Sequence, residues 1–386
     1  MNIIVSLKGS SQRMEVVSQS YGDGAVPDLH TTLSVNLGAV IENSRHIRRL
    51  APHSECAAMV KADAYGLGLK EISQALYKDG IRTFFVASLT EAVSLRSIVA
   101  LDADVYVLNG YFSGQAAQYL KYQLRPVLNS LPQIECWLGD ITGDSGALAA
   151  LHIDTGMNRL GLSGVETDRL LADKNLMNTI RLSLLMSHLA CADQPEHPYN
   201  KSQLEKFKAI STAFPGIPKS LANSAGVLLG EEYHFDMVRP GLALYGGAPC
   251  PPISPFENVF TAQGKVLQLR EVDAGSSVGY GATHTFRDPA RIATVNVGYA
   301  DGYLQCFNGC GQVYFKGQQL SVLGKVSMDL LAVDVTAVPD RDINVGDDIE
   351  LFGPHETLLA ASRRGHISQY EILTLLGKRY KRSYKS

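Results

Sequence analysis

Among its six cysteines the chain has no Cys-x-x-Cys pair, and Cys306 and Cys310, in Cys-Phe-Asn-Gly-Cys, lack the second half that a zinc site needs. No metal is expected, and free thiols point to a reducing cytoplasm. Nor is any apolar run long enough to cross a bilayer. The N-terminal stretch Ile3–Leu7 is too short for a signal-peptide core, so a soluble cytoplasmic chain with no membrane partner is expected. The formal charge is only −3 over 386 residues and the basic residues are scattered, which argues against a nucleic-acid partner. The one basic cluster, Lys378-Arg379-Tyr380-Lys381-Arg382, reads as the solvated end of a helix. No G-x-G-x-x-G follows the first strand-like run, so a dinucleotide fingerprint is missing too.

What is present is a rhythm. Residues 1–28, rich in Ser, Gly and Gln without sustained periodicity, predict a mobile N-terminal extension. Leu33–Leu37 then alternates like a strand, and Gly38–Leu50 has helical spacing. Eight short β-rich runs follow, each with a turn and a helical pattern behind it: Ala57–Lys61, Thr83–Ala87, Val105–Leu108, Arg125–Leu128, Ala149–Ile153, Leu182–Met186, Ser220–Ala222 and Met237–Val238. Alternation of this kind predicts an α/β parallel sheet, and eight units predict a (β/α)8 barrel over 29–258. The competitor is an open doubly wound sheet. Beyond about residue 260 the runs Val266–Leu269, Ile292–Val297, Gln312–Phe315, Leu331–Val335 and Ile349–Phe352 are separated by turns, with little helix until Ile367–Leu376. A C-terminal all-β domain over 259–386 is expected, and the strand near Leu33 is free to join it.

The segment Met59-Val60-Lys61-Ala62-Asp63-Ala64-Tyr65-Gly66-Leu67-Gly68 sets a lysine at the end of an apolar run, before a glycine-rich turn. An amine so placed can form a Schiff base and, part-buried, carry a proton, the two properties that pyridoxal 5'-phosphate (PLP) requires of a lysine. Tyr65, four residues on, can reach the phosphate end of such a cofactor. Arg159 follows the fifth run closely enough to meet a carboxylate there, or to form a surface salt bridge. His188, after the sixth, has a packed histidine as its plain reading. Asn223-Ser224, after the seventh, suit either a phosphate at backbone N–H groups or a helix N-cap.

The decapeptide resembles the cofactor-lysine motif of alanine racemases, and segments downstream match that family in the same order from about Leu33 to the C-terminus. The resemblance implies an isomerase that interconverts L-alanine and D-alanine through a PLP external aldimine, in a homodimer with shared active sites. It assigns Lys61 to the cofactor aldehyde and to proton transfer on the D-alanine face. Tyr280, in Ser277–Thr283, becomes the base on the L-alanine face, assisted by His188 and Arg239. The cofactor phosphate falls to Tyr65, Asn223, Ser224, Gly241, Leu242 and Tyr370, and the pyridine nitrogen to Arg239. Arg159, Met328 and Tyr299 are implied at the substrate. One departure stands out: many family members carry a carbon-dioxide-modified lysine where this chain has His152, so Arg159 must be oriented in another way. The rival readings are a racemase of another small amino acid such as serine, a PLP-dependent decarboxylase of the same fold and a non-enzymatic PLP-binding protein.

Overall fold

The structure, a computed structural model, describes residues 30–141, 146–252 and 254–386; the extension expected over 1–28 lies outside them. Short strands buried on both faces build the first half of the chain. Thr83–Val86 and Ala149–His152 are buried at every position, as strands of a parallel sheet covered by helices must be. Seven such strands, Ala58–Met59, Thr83–Val86, Asp104–Val107, Leu124–Leu128, Ala149–His152, Leu182–Met186 and Lys219–Ser220, pair in sequence order. Met237–Val238 lies parallel to Glu55–Cys56, just before the first of them. It also receives the last, through Asp236 N–H to Lys219 O (3.1 Å) and Arg239 N–H to Ala222 O (2.9 Å). The ring is thereby closed.

The helices between the strands start where local chemistry tells them to. Ser88 and Glu91 form a reciprocal capping box at Leu89–Arg96, and Ser163 with Glu166 does the same at Gly164–Ala172. The helix Leu37–Leu50 is capped by Asn36, whose side chain accepts from Ala39 N–H.

The second half is a β domain threaded on one long strand, Phe260–Val272, whose first eight residues alternate buried with part-buried. Register shifts within it let it bend. It pairs with Asp348–Phe352 near its start and with Ala290–Val295 further on, and Gln312–Phe315, Gln318–Leu323 and Leu331–Asp334 complete a closed barrel. Thr32–Asn36 lies antiparallel to Phe260–Val272, so the first strand belongs to the β domain sheet.

The β domain departs from the sequence reading in several places, among them a helix, Leu358–Gly365, ahead of the one expected at Ile367–Leu376. Gln318–Leu323 is a strand joined to Gln312–Phe315 by Lys316-Gly317, both at positive φ, the geometry of a two-residue hairpin turn. The basic cluster near the C-terminus is not a helix end. Lys381–Lys385 forms an edge strand parallel to Thr32–Asn36, and edge strands tolerate lysine because charge deters further pairing.

The domains meet at the Lys61 turn. The short helix Gln369–Thr374 packs there so closely that a Cβ on Gly66 would collide with Leu373 O, and Gly66 has φ +84° besides. Gly66→Ala should therefore lower stability by at least about 2 kcal/mol, seen as a fall in Tm. An unchanged Tm would mean that this contact is not as close as described.

Candidate active site

A cavity of about 570 Å³ opens at the carboxyl ends of the barrel strands, where the loops of several βα units converge. Lys61, Tyr65, Arg159 and His188 line one part of it. Asn223, Ser224, Arg239, Gly241, Leu242 and Tyr370 line the rest.

Lys61 owes its place to an uncommon turn. Ala62, Asp63, Ala64 and Tyr65 all have φ between 51° and 56°, a left-handed coil of four non-glycine residues. Each costs roughly 1–2 kcal/mol relative to the right-handed form, so the surroundings must hold the turn. Asp63 Oδ1 accepts Leu69 N–H (2.7 Å), and Gly66 N–H reaches Ala62 O (2.8 Å). Burial lowers the Lys61 pKa, with the positive charge of Arg159 acting in the same sense and Glu91 opposing. The amine is thus closer to its neutral, nucleophilic form than a surface lysine is.

Arg239 is a buried cation without a carboxylate. Its guanidinium donates to Ser220 Oγ and to Ser187 O (2.6 Å), and burial pushes its pKa down to about 9, which leaves it charged at neutral pH. Nearby, Ser224 Oγ accepts from Gly241 N–H (2.8 Å) and Ala243 N–H (3.2 Å), tying the seventh and eighth strand ends together. The short 3-10 helix Gly226–Leu229 that follows has Ala225 at its N-cap position, and Asn223 braces its start by accepting from Gly226 N–H (2.9 Å). A Cβ on Gly241 would overlap the Tyr65 hydroxyl, which is why that position is glycine. Tyr65 stacks at a tilt against Tyr245 and Tyr370, and its hydroxyl bonds to no protein group among the described residues. PLP fits this set. Lys61 suits its aldehyde and Arg239 its ring nitrogen, while the hydroxyls and N–H groups around Ser224, Gly241, Tyr65 and Tyr370 suit its phosphate.

His152 is held in one orientation. Both N–H bonds of the Asn129 amide are taken, by Leu108 O (3.0 Å) and Val127 O (2.7 Å), so Asn129 Oδ1 is left to accept from His152 Nδ1–H (2.8 Å). Burial, and after it Arg239, lowers the His152 pKa to about 4. The ring is neutral at pH 7, with Nε2 as a lone-pair acceptor. His188 is driven well below its ordinary pKa by burial and then by Arg239, so it too is neutral. Among the described residues Arg159 makes no ion pair, and Arg239 makes no hydrogen bond to His188.

Three expected site residues lie outside the cavity. Tyr280, Tyr299 and Met328 are on the β domain, 73%, 36% and 54% exposed. Tyr299 and Met328 share one cluster, in which Tyr299 N–H bonds to Ser327 O and Ala300 N–H to Met328 O. Arg379 clamps it by donating twice to Asp301 (2.7 Å each) and once to Asp329 (2.6 Å). The sequence reading passed over Arg379, Asn129 and Glu91; for Glu91, the Ser-x-x-Glu spacing of the capping box was the available signal.

Few ligands ask for an amine at one end, a cation beside the middle and uncharged donors at the other end, and the barrel thus defines the chain as one of the PLP-dependent enzymes. Comparison with known proteins narrows the class. Residues 35–249 match the model of the alanine racemase N-terminal domain, and residues 259–384 that of the alanine racemase C-terminal domain. An alanine racemase of Rhodospirillum rubrum is 44% identical over 91% of this chain and 95% of its own length. A catabolic alanine racemase of Agrobacterium fabrum is 43% identical over 91% of each. The crystal structure of alanine racemase from Bartonella henselae, with covalently bound pyridoxal phosphate, superposes with a TM-score of 0.87 at 37% identity, covering 92% of this chain and 99% of that one. The chain belongs to the alanine racemase family.

Because a histidine whose ring bonds to Asn129 cannot hold carbon dioxide as a lysine amine does, activity should not respond to added bicarbonate. Mass spectrometry of the native protein should find no carbamate. A bicarbonate requirement would show that some lysine has taken that role.

Proposed function

We propose that this chain interconverts L-alanine and D-alanine with PLP bound through Lys61, the proton being removed on one face and returned on the other. The observation that carries the reading is the Lys61 amine, its pKa lowered, in one cavity with the unpaired Arg239 guanidinium. Bound PLP supplies the electron-withdrawing ring that makes the α-proton of an amino acid labile.

The residues divide the remaining work. Lys61 Nζ exchanges the proton on the D-alanine face. Arg159, uncommitted in the free chain, pairs with the substrate carboxylate. Arg239 would serve the ring nitrogen of bound PLP and, keeping its own proton, would leave that nitrogen unprotonated, so the ring would withdraw electrons less strongly and side reactions would be disfavoured. Tyr65, Asn223, Ser224, Gly241, Leu242 and Tyr370 hold the phosphate.

The second proton carrier is Tyr280, and it comes from another chain. Its side chain is exposed and outside the cavity of its own barrel, as are Tyr299 and Met328. A C2 homodimer in which each β domain reaches the partner's barrel mouth brings all three to the cavity, where His188 and Arg239 lie.

Purified protein should be yellow, and borohydride reduction followed by peptide mapping should place the pyridoxyl group on Lys61; a label on another lysine would sink the assignment. Tyr280→Phe should slow racemisation by about 10²–10⁴-fold while leaving the colour in place. Co-refolding equal amounts of Lys61→Ala and Tyr280→Phe chains should make about half the dimers mixed, each with one intact site of two, so about a quarter of wild-type activity returns. If mixed dimers form and stay inactive, Lys61 and Tyr280 act within one chain.

A further inference from the structure

The left-handed turn that carries Lys61 is gripped from outside by one carboxylate. Glu91 Oε1 accepts Ala62 N–H (2.8 Å), while Oε2 accepts Ala87 N–H (2.8 Å) and Ser88 N–H (3.2 Å). The bond to Ala62 reaches the first residue of the strained coil, directly after Lys61. The other two fix the loop that follows the second barrel strand, Thr83–Val86. Three donors on two oxygens need a group that only accepts, and a carboxylate is the side chain that does so. A capping glutamate has no need to reach Ala62, since the capping box itself is closed by Ser88. The carboxylate is also close enough to raise the Lys61 pKa, against burial and Arg159.

We propose that Glu91 is a positioning residue for racemisation: by bridging Ala62 to Ala87 and Ser88 it holds the left-handed turn and thereby aims the Lys61 amine and the Tyr65 hydroxyl into the cavity. The inference rests on Lys61 as the cofactor lysine. Glu91 touches neither substrate nor cofactor, and acts through the backbone.

In Glu91→Gln one oxygen is replaced by an NH2 that opposes an N–H donor on one side of the bridge. kcat should fall by about 10²-fold, the order expected for a reacting group misplaced by about 1 Å, with KM for alanine changed far less. PLP affinity, titrated by absorbance on the apoprotein, should weaken. The pH profile of Lys61 reductive methylation in the apoprotein should move to lower pH, because the anion that favours the charged amine is gone. Ser88→Ala, which breaks the other half of the capping box and leaves all three Glu91 acceptor bonds, should keep kcat, PLP affinity and the methylation profile. If Glu91→Gln does not fold, Glu91→Asp carries the test, since it keeps the charge but is one carbon too short to span the bridge; its kcat should fall while the methylation profile moves less. Unchanged kcat and PLP affinity in the Glu91 variant, or equal losses in Ser88→Ala, would overturn the inference. Borohydride mapping of the wild-type chain separates the two readings: a label away from Lys61 overturns the lysine assignment and this inference together, whereas a label on Lys61 with an unaffected Glu91 variant overturns this inference alone.

Discussion

The site depends on a backbone conformation that the chain does not favour by itself. Residues Ala62 to Tyr65 wind left-handed without a glycine among them, and the turn sets where both Lys61 and Tyr65 point. Such a turn persists only when its neighbours over-determine it. Here they come from three directions. Glu91 holds its start from the second βα unit, and Asp63 ties it forward into the helix Leu69–Lys78. The helix Gln369–Thr374 of the β domain closes over Gly66. The β domain is therefore part of the barrel's catalytic end. Its Tyr370 enters the cavity wall, and its last strand sets Arg382 beside Asp63 (3.4 Å).

This mutual dependence explains the way the chain is threaded. Thr32–Asn36 and Lys381–Lys385 pair in the β domain sheet although they lie at opposite ends of the described chain. The barrel between them is thus inserted into a sheet closed by both ends, and the last strand adds one contact to the Lys61 turn, Arg382 to Asp63. The long strand Phe260–Val272 ties the two closures together, because it pairs with the first strand as well as with both sides of its own barrel.

The barrel runs and the lysine that ends the first of them were legible because local chemistry marks them: short β-rich runs, a turn after each and a helical period behind it. What was hidden acts at a distance. Lys378–Arg382 reads as a solvated helix end because the partner of the strand Lys381–Lys385 lies about 350 positions away. Gln318–Leu323 lacks clean alternation, although the Lys316-Gly317 turn before it carries a hairpin signal. Glu91, Asn129 and Arg379 hold residues 29, 23 and 78 positions away, and apart from the capping-box spacing at Glu91 nothing in their own neighbourhoods announces it. The exposure of Tyr280 is likewise invisible in sequence, since Ser277–Thr283 reads as an ordinary turn.

The electrostatics of the cavity suggest why so much scaffolding is needed. Lys61, Arg159 and Arg239 line it together with no Asp or Glu among the lining residues. Burial lowers the pKa of Lys61, His152 and His188, and the positive charges add to it, Arg159 at Lys61 and Arg239 with Arg159 at the two histidines. Of the three cations only Arg239 is held away from water, and keeping a cation there without a carboxylate is costly, an unfavourable charge that an acidic side chain could have neutralised. A glutamate beside Arg239 or Arg159 would relieve that strain and occupy the guanidinium the ligand needs. The one carboxylate near Lys61, that of Glu91, is spent on three backbone N–H groups outside the cavity, so it steadies the turn without competing for the site. PLP and an amino acid bring anions of their own, a phosphate and a carboxylate. The positive field of the cavity is therefore one that draws such ligands in.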